Sequence, residues 1–162
     1  MKKQNYEIRF ATEKDAATIL DFITGLAIYE KMLDEVVATK ESLRDSLFNK
    51  KQAEVILLEV GDEAAGFALF FHNYSTFLGK AGLYLEDLFV HDRYRGNGYG
   101  KALFQKVAEI AAERDCGRME WSCLDWNEPS IQFYKSQGAV AMEGWSVFRL
   151  SEEKLEGFKR GN

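Results

Sequence analysis

The residues best suited by type and spacing to do chemistry are the alternate glycines of Arg95-Gly96-Asn97-Gly98-Tyr99-Gly100-Lys101. Glycine lets a backbone approach a ligand closely, and the first N–H groups of a helix have no partners within it. Where such a loop opens a helix, the two together make an anion site, most naturally for phosphate. Two nucleotide motifs fail on the spacing. A P-loop needs Gly-Lys-Ser/Thr, but Ala102 follows Gly100-Lys101, and Arg95 stands where its first glycine belongs. A dinucleotide fingerprint needs G-x-G-x-x-G, and this loop reads G-x-G-x-G. Cys116 and Cys123 form neither a disulfide framework nor a metal-ligand spacing. Cys123 has no histidine near it in sequence to activate it and reads as a small core residue. His72 and His91 lack any ligand pattern, so no metal is expected.

The loop has to be carried by a strand and a helix. Before it, Leu83-Tyr-Leu-Glu-Asp-Leu-Phe-Val90 reads as a strand, with Glu86 and Asp87 on opposite faces by the two-residue period. After it, Leu103, Phe104, Val107, Ile110 and Ala111 recur at helical spacing to about Arg114, and Gly117 suits the cap. Upstream, Tyr6–Phe10 alternates as a strand, and Thr12 to Asp15 offers an N-cap and an acidic first turn. The helix behind it carries Ile19, Ile23, Leu26 and Ala27 on one face. Thr39 can cap a second helix with Leu43 and Leu47 on its apolar side. Residues 53–60 and 65–71 read as a hairpin turning at Gly61-Asp62, with a loop over 73–80. Residues 118–124 form a further strand, and Pro129 marks the first turn of a helix that Gly138 stops. Residues 145–150 read as a last strand and 151–159 as a short polar helix. Strands and helices interleave throughout, so the expected class is α/β or α+β with one central mixed sheet, in a single domain over 1–162.

Composition excludes several classes. No apolar run approaches a membrane span, and Met1-Lys-Lys-Gln-Asn5 lacks the apolar core of a signal peptide, which points to a cytoplasmic protein without a membrane partner. The net charge of −5 and the lack of a basic block argue against nucleic acid and are compatible with a cationic substrate.

The segment Arg95-Gly-Asn-Gly98-Tyr-Gly100 matches Arg/Gln-x-x-Gly-x-Gly/Ala and resembles the coenzyme A pyrophosphate loop of the GCN5-related N-acetyltransferases. The expected element order is also theirs. Three further segments resemble the diamine (spermidine/spermine) and thialysine N-acetyltransferase branch: Leu26-Ala-Ile-Tyr-Glu30, Tyr84-Leu-Glu-Asp87 with Phe89-Val90, and Trp126-Asn-Glu-Pro-Ser-Ile-Gln-Phe-Tyr-Lys135. Gly138-Ala139 and Glu143-Gly-Trp145 extend the match over nearly the whole chain. The hairpin turn Gly61-Asp62-Glu63 and the stretch from Ala139 to Glu143 are shorter than in the polyamine-acting members.

The resemblance implies acetyl transfer from acetyl-coenzyme A to a primary amine of a small cationic substrate, directly in a ternary complex. Such a reaction needs a group to take the ammonium proton, donors for developing charge and a proton for the departing thiolate. By the resemblance Glu86 is the base, acting through water. Tyr134 is the acid, since a phenol stays protonated at neutral pH. The resemblance assigns the pantetheine arm to Leu88, Phe89, Val90, Asn127, Ser130 and Tyr134, and the pyrophosphate to Arg95, Gly96, Asn97, Gly98, Tyr99, Gly100 and Lys101. Substrate contacts fall to Tyr29, Glu30, Glu86, Glu120, Trp121, Ser122 and Glu143. It also implies a homodimer. The rival readings are a coenzyme A-binding module without turnover, which would have lost the acid or the base, and acetylation of protein amines.

Overall fold

A computed structural model describes residues 5–159, so Met1 to Gln4, part of the N-terminus read above for targeting, lie outside the described residues. The chain divides into two compact units, Met1–Leu124 and Asp125–Asn162.

The first unit is built on one five-stranded mixed sheet in the order β1-β2-β3-β4-β5. Strands β1 (Tyr6–Phe10), β2 (Glu54–Val60), β3 (Glu63–Ser75) and β4 (Lys80–Val90) pair antiparallel. Strand β5 (Met119–Glu120) joins β4 in parallel. The β2–β3 hairpin turns at Gly61-Asp62 as the sequence indicates, with Gly61 left-handed at φ +62°. Both β3 and β4 run further than their patterns suggested, shortening the loop between them to residues 76–79.

Helix α1 (Ala16–Tyr29) follows a single tight turn at Glu13–Asp15, where the Thr12 N–H donates to Asp15 at 2.7 Å. Helix α2 (Lys40–Arg44) is capped as expected, Thr39 Oγ1 accepting from the Ser42 N–H at 3.0 Å. These helices cover one face of the sheet. There Ile19, Phe22, Leu43, Leu47, Val55, Leu57, Phe67, Leu69 and Phe89 form a buried core. Phe22 stacks on Phe67 at 5.2 Å and meets Phe89 edge-on at 6.4 Å; such aromatic pairs add about 0.5–1.5 kcal/mol beyond their burial. Helix α3 (Tyr99–Glu113) covers the other face with Leu103, Phe104 and Val107. The left-handed residue that ends α3 is Asp115, at φ +56°, and not Gly117. Gly117 answers to packing instead, because a Cβ there would lie 2.8 Å from Leu78.

Two further expectations are corrected. The strand read over 118–124 reduces to Met119–Glu120, which pair with Leu83 and Tyr84; beyond them Trp121 packs edge-on against Phe104 of α3 at 5.1 Å without further pairing to β4 among the described residues. Residues 145–150, in the second unit, form no strand. Gly144 turns the chain at φ +89°, and Trp145, Val147 and Phe148 are exposed, without a hydrogen-bonded partner strand among the described residues. Alternating side chains make a strand only where another edge satisfies the backbone. The second unit otherwise holds α4 (Glu128–Ser136), with Pro129 in its first turn, and α5 (Glu152–Lys159).

Candidate active site

The glycine loop joins β4 to α3 through a tight turn at Asp92–Tyr94. Gly96 and Gly98 are left-handed, at φ +82° and +81°, a conformation that costs a side-chain-bearing residue and leaves glycine unstrained. A Cβ at either would meet nothing within 4 Å, so the turn is open on its outer side. The first bond of α3 runs from the Ala102 N–H to the Gly98 carbonyl at 3.0 Å. The N–H groups of Tyr99, Gly100 and Lys101 precede it, and no side chain caps them. That is an open cradle of donors at the positive end of a helix dipole, as phosphate requires. Asn97 braces the turn from within, donating to the carbonyls of Tyr94 and Arg95 at 2.9 and 3.3 Å.

Arg95 faces inward from this loop. Its Nε donates to the Val90 carbonyl at 3.1 Å and its Nη1 pairs with Asp92 at 2.9 Å. The guanidinium lies over the rings of Tyr29 and Phe89, at 5.1 and 5.3 Å. Its side chain therefore ties the loop to the end of α1.

Strand β4 carries two features that a regular strand lacks. It meets β5 only at Leu83 and Tyr84, so among the described residues its second edge is unpaired from Leu85 to Val90. The backbone of Leu88 and Phe89 is thus available on that side to an extended ligand arm, while the ring of Phe89 stays in the core. The other feature is a bulge. Leu69 pairs with Asp87 and Phe70 with Leu85, leaving Glu86 as the extra residue. Residues directly opposite across strands share a face. Leu69 belongs to the core beneath α1, so Asp87 faces α1, whereas Leu85 pairs with Phe70 toward α3. The expected alternation of Glu86 and Asp87 onto opposite faces is therefore overturned, because a bulge suspends the two-residue period.

Glu30 arrives from the other side. Gly25 lets α1 lie close on β4, since a Cβ there would come within 2.8 Å of the Phe89 ring. One turn later Glu30 caps the helix, with its N–H bonded to the Leu26 carbonyl at 2.9 Å and Lys31 left-handed behind it. The three carboxyl groups repel one another. Burial, and then Glu86, raise Glu30 above the usual carboxylate range. Burial, then Glu86 and Glu30, push Asp87 up to about 7. Among the described residues none of the three makes an ion pair. Carboxylates elsewhere in the unit do: Glu54 takes Arg114 at 2.6 Å, Arg9 holds Asp15 and Glu59 at 2.8 and 2.7 Å, and Lys80 meets Asp115 at 2.9 Å.

Further along the same face, Tyr84 opposes Phe71 on β3 and Glu120 on β5. Its hydroxyl hydrogen-bonds Ser122 Oγ at 2.9 Å. Glu120 is held by Arg118 at 2.8 Å. Of the substrate candidates, the first unit thus places Glu30, Glu86, Glu120 and Ser122 along the α1 side of β4 and β5. Trp121 faces α3. Tyr29 lies beneath Arg95.

The other candidates belong to the second unit. Asn127 is buried at the start of α4, and Ser130 is half-buried in its first turn. Tyr134 is half-buried, its ring 5.4 Å from that of Phe133, and its carbonyl accepts from the Ala139 N–H at 3.1 Å. Glu143 is exposed in the turn before Gly144. Among the described residues, no group of three His, Cys, Asp or Glu could hold a metal ion, and no helix is long and apolar enough to cross a membrane.

Comparison with known proteins decides the family. The model of the acetyltransferase (GNAT) family matches residues 25–139, across the boundary between the two units. The chain belongs to the GNAT acetyltransferases. This acetyltransferase is 36% identical over 158 residues to a thialysine N-epsilon-acetyltransferase of Caenorhabditis elegans, covering 96% of this chain and 98% of that one. It is 31% identical to an L-ornithine N5-acetyltransferase of Arabidopsis thaliana, over 96% of this chain and 88% of the relative. A human spermidine/spermine N(1)-acetyltransferase-like protein is 34% identical over 93% of this chain, which spans 23% of that longer protein. Among solved structures, an integron cassette protein of Vibrio cholerae superposes with a TM-score of 0.78 at 25% identity, covering 96% and 98% of the two chains. GNAT acetyltransferases take acetyl-coenzyme A as co-substrate, and the open glycine turn with its uncapped N–H groups fits the pyrophosphate of such a ligand.

Proposed function

We propose that this acetyltransferase acylates a primary amine of a small cation: a diamine, a polyamine, or a lysine-like amino acid such as thialysine or ornithine. The observation that carries the reading is the set of carboxyls at the β4 bulge, Glu30, Glu86 and Asp87, gathered without a counter-ion. Uncompensated carboxylates cost free energy that a bound ammonium group recovers. The relatives named for thialysine, ornithine and spermidine/spermine support the same substrate class.

Acetyl-coenzyme A supplies an activated acetyl thioester. The open edge of β4 at Leu88–Val90 would hold its arm and the N–H groups opening α3 its pyrophosphate; the resemblance adds Asn127 and Ser130 to the arm's contacts. Glu86 draws a proton from the substrate ammonium through water, which leaves the nitrogen lone pair free to attack. Tyr134 donates its phenolic proton toward the leaving sulfur. A second positive charge on the substrate meets Glu30 or Glu143. The working form is a cytoplasmic homodimer. The exposed apolar segment Trp145, Val147 and Phe148 supports that assembly, since large exposed apolar patches mark contact surfaces.

A screen of small amines with acetyl-coenzyme A, following thiol release, tests the reading. Turnover is expected with thialysine, ornithine or diamines and not with neutral or acidic amines. Turnover confined to protein termini or protein lysines would overturn it.

A further inference from the structure

The bulge does more than offset Glu86. It turns Asp87 onto the face beneath α1, against Leu69 and beside Phe89, where an ionised carboxylate loses hydration. On this face Tyr84 of β4 opposes Phe71, and Arg9 of β1, opposite Leu57, is spent on Asp15 and Glu59; further ionisable and charged groups come toward the bulge from four elements. Tyr29 and Glu30 stand at the end of α1, with Lys31 next in the chain. Glu86 is the neighbour on β4, and Glu120 lies on β5 in the hold of Arg118. His91 and Arg95 come from the loop after β4. His91 packs on Phe22 at 4.6 Å and on Phe89 at 5.8 Å. Arg95 is committed to the Val90 carbonyl, to Asp92 and to the two rings. His72 of β3 opposes Leu83 and lies on the other face. Asp87 thus has two carboxylate neighbours acting on it and no ion-pair partner among the described residues.

We propose that Asp87 positions the amine by exchanging a proton for it: the carboxyl is held as the acid in the free enzyme and ionises as the cationic substrate enters beside Glu86 and Glu30. This rests on the small-cation reading above. The balance is simple. The Asp87 O–H bond breaks, its proton goes to solvent, and the charge left behind is met by the substrate ammonium, which keeps its own proton until Glu86 takes it. Burial together with Glu86 and Glu30 holds Asp87 up to about 7, so the exchange falls within the neutral range. The free site is spared a third uncompensated charge, and the loaded site has the charge it needs. Asp87 acts through the charge balance around Glu86 and Glu30 and is not itself the base.

The sign follows from linkage. Substrate that binds the ionised form must displace a proton below about pH 7, so affinity for the cation rises with pH and levels off above that value. Between pH 6 and pH 8 the KM for a diamine should fall about tenfold from this exchange alone. The decisive experiment is calorimetric titration of the protein, loaded with coenzyme A to prevent turnover, with 1,4-diaminobutane at pH 7 in buffers of different ionisation enthalpy. Both amines of that probe remain protonated there, so any proton released comes from the protein. About half a proton per site should be released, since a group at its midpoint is half protonated. The release should vanish in Asp87→Asn and persist in His91→Gln. In Glu30→Gln the release should move to lower pH, because one of the charges that raises Asp87 is gone. Asp87→Asn should also flatten the dependence of KM on pH between 6 and 8, while a merely structural role would lower the amount of active protein and leave the profile unchanged. Binding without proton release, or release that survives in Asp87→Asn, would overturn the exchange and leave the substrate class standing. Absence of binding by 1,4-diaminobutane, thialysine and ornithine alike would overturn both.

Discussion

Tyr134→Phe keeps the ring on α4 beside Phe133 and removes the phenolic hydroxyl, and with it the proton to be donated. Binding of acetyl-coenzyme A should survive while turnover falls by ~100- to 10,000-fold, the usual scale of general acid catalysis. Single-turnover rates with the cofactor saturated will read this directly, and an unchanged rate would make the phenol a packing residue. Asp87 leaves a signature in stability as well as in binding. Its ordinary value is 3.8 and the fold raises it to about 7, so the native state binds more protons than the unfolded chain between those limits. Stability therefore falls as pH rises through that window and is constant above it. Asp87→Asn escapes the loss. The variant should equal the wild type near pH 4, gain progressively to about pH 7 and hold the gain beyond, by about 2 kcal/mol once solvent screening at a mostly buried site is allowed for. Urea denaturation of the two proteins at pH 4.5, 6 and 8 checks it, and a gain that shrinks with rising pH would refute the assignment.

At the scale of elements, the cradle is made by the two left-handed turns before α3, and Gly98 sits at the cap itself. Replacement by valine forces a β-branched residue to φ +81°, where it is strained, and moves the N–H groups that follow. Acetyl-coenzyme A should raise the melting temperature of the wild type, because it engages the folded loop and not the unfolded chain. In Gly98→Val that rise should disappear, with ATP as a control that shifts neither protein. A shift of equal size in the variant would place the cofactor elsewhere. The glycine spacing made this loop legible in the sequence, and the 3.6-residue period of Leu103, Val107 and Ile110 placed the helix behind it. The bulge was less visible. Its trace is a slip in phase, with Leu83 and Leu85 facing α3 at odd positions and Leu88 and Val90 at even ones. A two-residue period counted through Glu86 hides that slip, so Asp87 fell on the wrong face. The segment 145–150 misled for another reason. Alternation records what a strand would bury and says nothing about whether an edge is there to receive it.

For the whole molecule, a net charge of −5 with uncompensated carboxylates at the β4 bulge favours the approach of cations over long range. Pairing elsewhere sharpens this, because Arg9, Arg114, Arg118 and Lys80 are each spent on a carboxylate away from the β4 bulge. The carboxyls at the bulge are left without such a partner among the described residues. A substrate with a second positive charge gains a charge-assisted contact with Glu30 or Glu143, and loss of such a contact costs ~1.5–3 kcal/mol, about ten- to hundredfold in kcat/KM. Glu30→Gln and Glu143→Gln should each raise KM for a diamine or thialysine more than they lower kcat, because the contact is made in the ground state and the transition state alike. Added salt should raise the wild-type KM, as a shorter screening length weakens the attraction. The two variants should respond less steeply, so that the curves of KM against ionic strength converge at high salt. Steady-state kinetics over a range of potassium chloride concentrations will show this. Parallel curves would mean that neither glutamate meets the distal charge, and a best substrate that is neutral apart from its reacting nitrogen would remove the need for one.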